Sequence, residues 1–358
     1  MSLFVMTGGG TGGHVLPLLA VAGELRGRGH DVVFLGTRAG LEARLVPQNG
    51  FRLEFLEIGG LKGVGVRRAL RTLWQLPAST IRAMLWLRSW RPGAVFSMGG
   101  YVAGPPVLAA LLLRIPVVAM EPNAVPGITN LRLGQYVQKT LIGFEEAASR
   151  FPPGRTEVTG LPVRDEFFAV PARPAGGVFS VLITGGSRGA RTLNLAARES
   201  WPLFRAAGTK IRIVHQAGAD GAADLARDFA QSGLDGEVVA FVEDMPRAFG
   251  EADLVVSRSG AGAVFELAAA GKPALLVPFP YAADQHQLRN AEAFARSGAG
   301  RVILDRDLNG RKLFEAVSAL SADHRQLERM SAAARSMAKR GAARRASELL
   351  EQLDKNKV

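Results

Sequence analysis

In this 358-residue chain, the side chain best placed for chemistry is a histidine that closes a glycine-rich turn. His14 ends Thr7-Gly8-Gly9-Gly10-Thr11-Gly12-Gly13-His14, which joins the strand-like run Leu3-Phe4-Val5-Met6 to a helix-like run beginning at Val15. Free peptide N–H groups and the positive dipole end at a helix start hold anions. The same field favours a neutral imidazole, able to take a proton from a hydroxyl near neutral pH. Glycines precede His14 and leave no bulky neighbour to bury it, whereas His30, His215 and His324 read as structural.

The turn has a second copy 177 residues on, Thr184-Gly185-Gly186-Ser187-Arg188-Gly189-Ala190-Arg191, after Phe179–Ile183 and before Thr192–Ala197. A third strand-to-helix joint, Ser257-Arg258-Ser259-Gly260-Ala261-Gly262-Ala263-Val264-Phe265-Glu266, offers another small-residue helix start for phosphate. Glu266 lies six residues past Gly260, within reach of a ribose diol. Pro278–Gln287 gathers acid, amide and imidazole groups of the kind that read sugar hydroxyls by directional hydrogen bonds. Met98–Tyr101, Glu121–Asn123 and Thr129–Asn130 are further candidates at strand ends. Asp305-Arg306-Asp307 has an acid-x-acid pattern, but the helix that follows makes capping the simpler reading. No cluster has metal-ligand spacing, so no metal is expected.

The Gly8-x-Gly10-x-x-Gly13 spacing is formally a dinucleotide fingerprint. Gly36-Thr37-Arg38 stands where such a fingerprint wants an acid for the ribose. An arginine there accepts a 2′-phosphate, which keeps an NADP-binding Rossmann enzyme as an alternative that leaves the second glycine turn unexplained.

These joints need strands that feed helices. Expected strands are 3–6, 32–35, 52–58, 94–97, 117–120 and 140–143, then 180–184, 210–216, 238–242, 254–257, 274–277 and 301–304, with helical stretches between. Alternating β and α elements give parallel sheets covered on both faces, so the fold class is α/β, doubly wound, in two halves. The Pro/Gly-rich connectors Gly160–Arg164 and Pro171–Gly177 place the boundary: 1–163 forms one domain and 164–340 the other. The segment Arg335–Leu353 reads as a helix that packs back on either domain, with 341–358 assigned to the first. Ligands of open parallel sheets bind at the carboxyl ends of the strands, so a cleft between the two domains is the expected site.

The chain carries net charge +12 and no cysteine, which rules out disulfides, thiolate metal sites and a thiol nucleophile and fits a reducing cytoplasm. No signal peptide is visible, and the longest apolar stretch, near Val107, is too broken by Pro105, Pro106, Arg114 and Pro116 to span a bilayer. Residues 1–163 hold 17 Lys/Arg against 9 Asp/Glu, and no carboxylate occurs between Glu57 and Glu121. Within that interval Lys62, Arg67, Arg68, Arg71, Arg82, Arg88 and Arg91 interleave with Trp74, Trp86 and Trp90. Such a stretch, 62–91, suits an anionic surface. A nucleic-acid partner would need base-stacking or groove-reading motifs, and the sequence has none.

Taken together, GGGTGGH (8–14), MGGYVAGP (98–105), EPNAVPGITN (121–130), TGLPVR (159–164), TGGSRGAR (184–191), SRSGA (257–261) and PFPYAADQHQ (278–287) closely resemble the MurG family. Its members are the bacterial N-acetylglucosaminyltransferases that complete the peptidoglycan lipid precursor. The resemblance implies a GT-B fold of two Rossmann-like domains. It implies inverting transfer of N-acetylglucosamine from UDP-GlcNAc to the 4-hydroxyl of the muramoyl sugar on a diphospho-undecaprenyl carrier (lipid I to lipid II), releasing UDP without a cofactor. On this sequence His14 is then the general base, with Thr11, Gly12 and Gly13 flanking the diphosphates and Tyr101, Glu121 and Asn130 lining the acceptor side. Asn123 and Gln287 read the donor sugar, helped by Asp284 and Asn290, and Arg164 and Ser187 act near the nucleotide diphosphate, with Arg258 adding charge there. Val242 presents backbone to uracil, Ala261, Gly262, Ala263, Val264 and Phe265 form the phosphate-facing helix start, and Glu266 binds ribose. Partners are UDP-GlcNAc, lipid I and, through 62–91, the anionic cytoplasmic face of the inner membrane. Ala263, Arg188, Pro106 and His286 depart from the common family residues. A related transferase with another lipid acceptor and a UDP-sugar epimerase are the competing readings on this fold.

Overall fold

The computed structural model describes residues 1–10, 12–59, 66–173 and 176–356, with side chains in the helix Val66–Trp90 described from Trp74 onward. The chain divides into two compact units, Met1–Val163 with Lys339–Val358, and Arg164–Ala338.

The first unit is built on seven parallel strands: β1 (Leu3–Thr7), β2 (Asp31–Gly36), β3 (Arg52–Phe55), β4 (Ala94–Ser97), β5 (Val117–Glu121), β6 (Lys139–Ile142) and β7 (Thr156–Val158). Their spatial order is β3-β2-β1-β4-β5-β6-β7. The second unit has six: β8 (Phe179–Thr184), β9 (Ile211–Gln216), β10 (Asp235–Val239), β11 (Leu254–Ser257), β12 (Ala274–Leu276) and β13 (Gly300–Val302), in the order β10-β9-β8-β11-β12-β13. Both sheets are wound outward from their first strand, which creates a switch point between β1 and β4 in one unit and between β8 and β11 in the other.

The central strands read as unbroken apolar runs because helices cover both sheet faces. Val5, Leu35, Val95 and Val117 are buried in one core, and Val181, Ile183, Ile213, Leu254 and Val256 in the other. The expected strands all exist, with ends moved by a few residues; β7, too short and polar to announce itself, is an addition. The expected single helix over Arg335–Leu353 is two, His324–Met337 and Ala342–Gln352, because Gly341 turns left-handed at φ 81°.

The last helix belongs to the first unit. Arg345 donates to both carboxylate oxygens of Glu157 at 2.6 and 2.9 Å, and this pairing holds the Glu157 carboxyl below the usual range. Glu351 meets His30 at 3.0 Å and Arg28 at 3.1 Å.

Candidate active site

At the first switch point, β1 and β4 end side by side, with Thr7 in register with Ser97. The two loops that leave there are the glycine turn and Met98–Tyr101. Their approach needs glycine: at Gly8 (φ +146°) a Cβ would stand 2.9 Å from the Met98 Cβ, and Gly10 is left-handed at φ +87° with the Tyr101 ring beside it. The helix Gly12–Gly27 starts immediately after, so Gly12, Gly13 and His14 form its first turn. His14 is half-buried, and its Nδ1 lies 3.1 Å from the carbonyl oxygen of Gly9. A carbonyl only accepts, so Nδ1 is the donor and Nε2 is the acceptor nitrogen of the neutral ring. Thr11 lies outside the described residues.

The same switch point gathers the β5 loop. Glu121 and Asn130 are both buried. The Glu121 carboxylate accepts from Asn123 N–H at 2.9 Å, Gly127 N–H at 3.0 Å and Asn130 Nδ2 at 3.0 Å. Burial raises the Glu121 pKa, and these donors oppose the rise. Asn130 also donates to the Met120 carbonyl at 2.9 Å and packs where a Cβ on Gly99 would sit. Glu121 and Asn130 therefore brace the loop from beneath, while the partly exposed Tyr101 and Asn123 lie nearer its surface.

Sequence reasoning missed Glu42. Its side chain is 1% exposed and reaches under the glycine turn. One carboxylate oxygen accepts from Gly10 N–H at 2.8 Å; the other accepts from Thr37 N–H at 2.9 Å and Thr37 Oγ1 at 2.7 Å. The signal was the unexplained absence of an acid at the end of β2. The acid stands six residues past Gly36 and points inward, not outward to a ribose. Arg38, held open for a 2′-phosphate, lies over the Phe55 ring at 4.5 Å.

The second switch point repeats the plan, with Thr184 in register with Ser257. Gly186 N–H returns to Thr184 Oγ1 at 3.2 Å, as Gly99 N–H does to Ser97 Oγ at 3.1 Å in the first unit. Ser187 is exposed at the tip of this turn. Gln216, buried at the end of β9, donates to Gly186 O at 2.8 Å and accepts from Val242 N–H at 2.9 Å. The N–H of Val242 is thereby engaged within the protein.

After β11 the helix Ala261–Ala270 begins, and its first intrahelical bond runs from Val264 N–H to Gly260 O. The N–H groups of Ala261, Gly262 and Ala263 precede that bond, so within the expected segment these three are the N–H groups that the helix itself does not use. Val264 and Phe265 bury their side chains in the core instead. Glu266 follows on a partly exposed face, and loss of hydration pushes its pKa up to about 7 against the lowering influence of the Arg164 guanidinium. Arg164 sits at the start of the short helix Asp165–Phe168, over the Phe167 ring at 5.1 Å.

Gln287 accepts from Phe279 N–H at 3.0 Å through its carboxamide oxygen, turning its NH₂ to the other side. Asn290 is buried and donates to the Ser259 carbonyl at 3.2 Å, so it joins the β11 and β12 loops. Asp284 and Gln285 adopt left-handed backbone at φ 52° and 54°, a costly conformation for residues with a Cβ. Arg258 pairs with Asp305 and donates to the Val277 carbonyl at 3.1 Å. Asp305 also accepts from Thr192 Oγ1 at 3.1 Å, and the helix Gly310–Ser321 is capped by Asn309, which accepts from Lys312 N–H at 2.9 Å. Asp305-Arg306-Asp307 is thus a tie between loops and not the expected cap. Among the described residues no group of three or more His, Cys, Asp or Glu side chains is placed to hold a metal.

Residues 4–142 match the model of the glycosyltransferase family 28 N-terminal domain, and residues 180–346 match that of the family 28 C-terminal domain. A UDP-N-acetylglucosamine–N-acetylmuramyl-(pentapeptide) pyrophosphoryl-undecaprenol N-acetylglucosamine transferase of Solibacter usitatus is 57% identical over 350 residues, covering 98% of this chain and 96% of its own length. The chain belongs to the MurG family. A transferase of the same name from Halorhodospira halophila is 44% identical over 96% of each chain. The crystal structure of Acinetobacter baumannii MurG superposes with a TM-score of 0.83 at 32% identity, covering 98% of this chain and all of that one. A UDP-GlcNAc 2-epimerase from Neisseria meningitidis, at TM-score 0.67 and 16% identity, shares the fold. The fold is therefore GT-B, with two Rossmann-like α/β domains.

Proposed function

We propose that this protein transfers N-acetylglucosamine from UDP-GlcNAc to the 4-hydroxyl of the muramoyl sugar of undecaprenyl-diphospho-MurNAc-pentapeptide, with inversion and release of UDP. The observation that carries the reading is the His14–Gly9 hydrogen bond, which uses Nδ1 as the donor and so makes Nε2 the basic nitrogen at the head of a glycine turn in a MurG-family chain. In the reaction the acceptor O4 gives its proton to Nε2 as the O4–C1 bond forms. The C1–O bond to the diphosphate breaks, and its electron pair leaves with UDP. The departing charge is met by the N–H groups of Ala261, Gly262 and Ala263, with Arg164 and Ser187 alongside. Glu266 accepts from the ribose hydroxyls, the Val242 carbonyl meets the uracil N–H, and the Gln287 NH₂ with Asn123 reads the sugar. Gly12 and Gly13 flank the diphosphates with Thr11, and Tyr101 lines the acceptor side, on a loop that Glu121 and Asn130 hold from below.

The acceptor is a membrane lipid, so we place the protein peripherally at the cytoplasmic face of the plasma membrane, docked through the helix Val66–Trp90. Among the described residues no helix is long and apolar enough to cross a bilayer.

Incubation with UDP-GlcNAc and a short-chain analogue of lipid I tests the reaction. Disaccharide–lipid formed in step with UDP is the expected product. UDP release without disaccharide, or appearance of a C2-epimerised nucleotide sugar, would overturn it.

A further inference from the structure

The hydrogen bonds of Glu42 and His14 meet on one peptide group. Gly10 N–H donates to the Glu42 carboxylate at 2.8 Å, and the carbonyl of that same peptide, Gly9 C=O, accepts from His14 Nδ1 at 3.1 Å. Carboxylate, peptide and imidazole therefore form a single chain. We propose that Glu42 is a positioning residue for His14, acting through the Gly9–Gly10 peptide.

A negative acceptor on an amide N–H draws electron density toward the amide oxygen, and hydrogen bonds in such chains strengthen one another by roughly 10–30% each. The Gly9 oxygen so polarised does two things. It holds the ring with Nδ1 protonated, which presents Nε2 as the base, and it stabilises the imidazolium that forms when Nε2 takes a proton. A triad places a carboxylate directly on the imidazole for the same two purposes; here a peptide stands between them.

The surroundings are shaped for this carboxylate. Glu42 is 1% exposed, and a Cβ on Gly9, Gly36 or Gly40 would run into its side chain. Thr37 fixes the far oxygen with both its N–H and its hydroxyl, so the near oxygen stays on Gly10. A neutral amide cannot replace it. One end of a glutamine would accept, and the other would set an NH₂ against a backbone N–H.

The inference rests on His14 being the base, and the experiment separates the two. Glu42→Gln is expected to lower kcat about 10- to 100-fold, less than removal of the base itself. The KM for UDP-GlcNAc should stay within about twofold of the parent. In a His14→Ala background Glu42→Gln should have no further effect on the residual rate, since its influence runs through the ring. Thr37→Val keeps the carboxylate–Gly10 bond and should retain most of the activity. The ¹⁵N ring resonances of His14 in the unmodified protein should show the Nδ1–H tautomer, and they should shift toward a tautomer mixture in Glu42→Gln.

Three results would overturn the proposal: a dominant Nε2–H tautomer in the unmodified protein, a folded Glu42→Gln with unchanged kcat, or an equal loss in the His14→Ala background. The first needs no variant, so it decides the matter even where Glu42→Gln does not fold. Full activity of His14→Ala would instead remove His14 as base, and the ring resonances would still report on the Glu42 chain.

Discussion

The Nδ1 of His14 and the carbonyl of Gly9, five residues apart in one turn, are hydrogen-bonded at 3.1 Å. The bond fixes which ring nitrogen is basic before any substrate arrives. Substituting His14 by alanine should lower kcat by about 10²–10⁴-fold, the usual cost of losing a positioned base. Affinity for UDP-GlcNAc, measured by calorimetry, should be unchanged. A His14→Ala protein that turns over at the parental rate would contradict the assignment.

The ribose contact proposed for Glu266 predicts a pH dependence of donor binding. Its pKa is pushed up to about 7 by loss of hydration, so the empty site is half protonated near neutrality. The ribose hydroxyls donate, and therefore favour the ionised carboxylate. UDP-GlcNAc should bind progressively more weakly as pH falls through 7, by about tenfold per pH unit at the limit. The nucleotide itself contributes nothing there, because both phosphates of its diphosphate are esterified and keep their charge. Glu266→Gln should bind more weakly and show no such slope; a slope that persists in this variant would assign the proton to another group.

His215 writes a second pH dependence, in stability. It is buried at the end of β9 with Nε2 3.0 Å from Asn194 Oδ1, and burial lowers its pKa from 6.5 to about 4. Between those values the unfolded chain binds the extra proton and the folded one does not. Stability is thus complete above pH 6.5 and declines as pH falls toward 4, by at most about 1.4 kcal/mol per pH unit and roughly 3 kcal/mol in all. Denaturant melts at pH 7 and pH 5 check the sign. In His215→Gln the difference between the two should shrink, and an undiminished difference would assign it to other groups.

What the sequence made legible follows from periodicity and from glycine. Apolar runs that end in glycine and open into small-residue helices marked β1, β4, β8 and β11, and those strands flank the two switch points. Left-handed Gly10 and Gly189 had to be glycine, and so they were visible in the sequence as turns. Invisible were the contacts that long side chains make across the fold. Glu42, Gln216 and Asp305 each serve a loop far from their own position, and no local spacing encodes a partner 26 or more residues away. The pairing of Arg258 was hidden for that reason: its partner, Asp305, lies 47 residues downstream.

Gln216 offers a test of such a contact. It joins the second glycine turn to the segment around Val242 by donating to Thr184 Oγ1 at 3.2 Å and Gly186 O at 2.8 Å while accepting from Val242 N–H at 2.9 Å. Gln216→Leu keeps the bulk but takes the acceptor from Val242 N–H, a loss of about 1–3 kcal/mol where the group is buried, while Thr184 Oγ1 keeps Gly186 N–H and Gly186 O keeps Gly189 N–H. The variant should melt earlier, and its affinity for UDP-GlcNAc should fall more than that of an equally destabilised core variant such as Val256→Ala. Equal loss of affinity in the two would reduce Gln216 to a packing residue.

The helix Val66–Trp90 carries an apolar stripe turned to solvent: Trp74 is 81% exposed, Ile81 58% and Leu85 64%. At about 100° per residue, Ile81 and Leu85 fall within roughly 20° of Trp74, so the three lie along one face. Trp86 and Trp90 do otherwise; they stack at 5.7 Å and pack against the core of the first unit. The tryptophan excess in the sequence thus separates into one exposed residue and two that support the fold. Arg82 and Arg88 are exposed on the same helix, and Arg82 lies over the Trp86 ring at 4.8 Å. Apolar burial of about 1.5–3 kcal/mol per large side chain, with about 1 kcal/mol per basic residue near an anionic surface, is ample for reversible docking. A Trp74→Ala, Ile81→Ser, Leu85→Ser triple variant should partition onto phosphatidylglycerol vesicles at least about 10³-fold less while keeping its melting temperature and its turnover of a soluble short-chain acceptor. The parent should bind neutral phosphatidylcholine vesicles more weakly, and added salt should remove that difference. Equal partitioning of the triple variant, or indifference of the parent to lipid charge, would overturn docking through this helix.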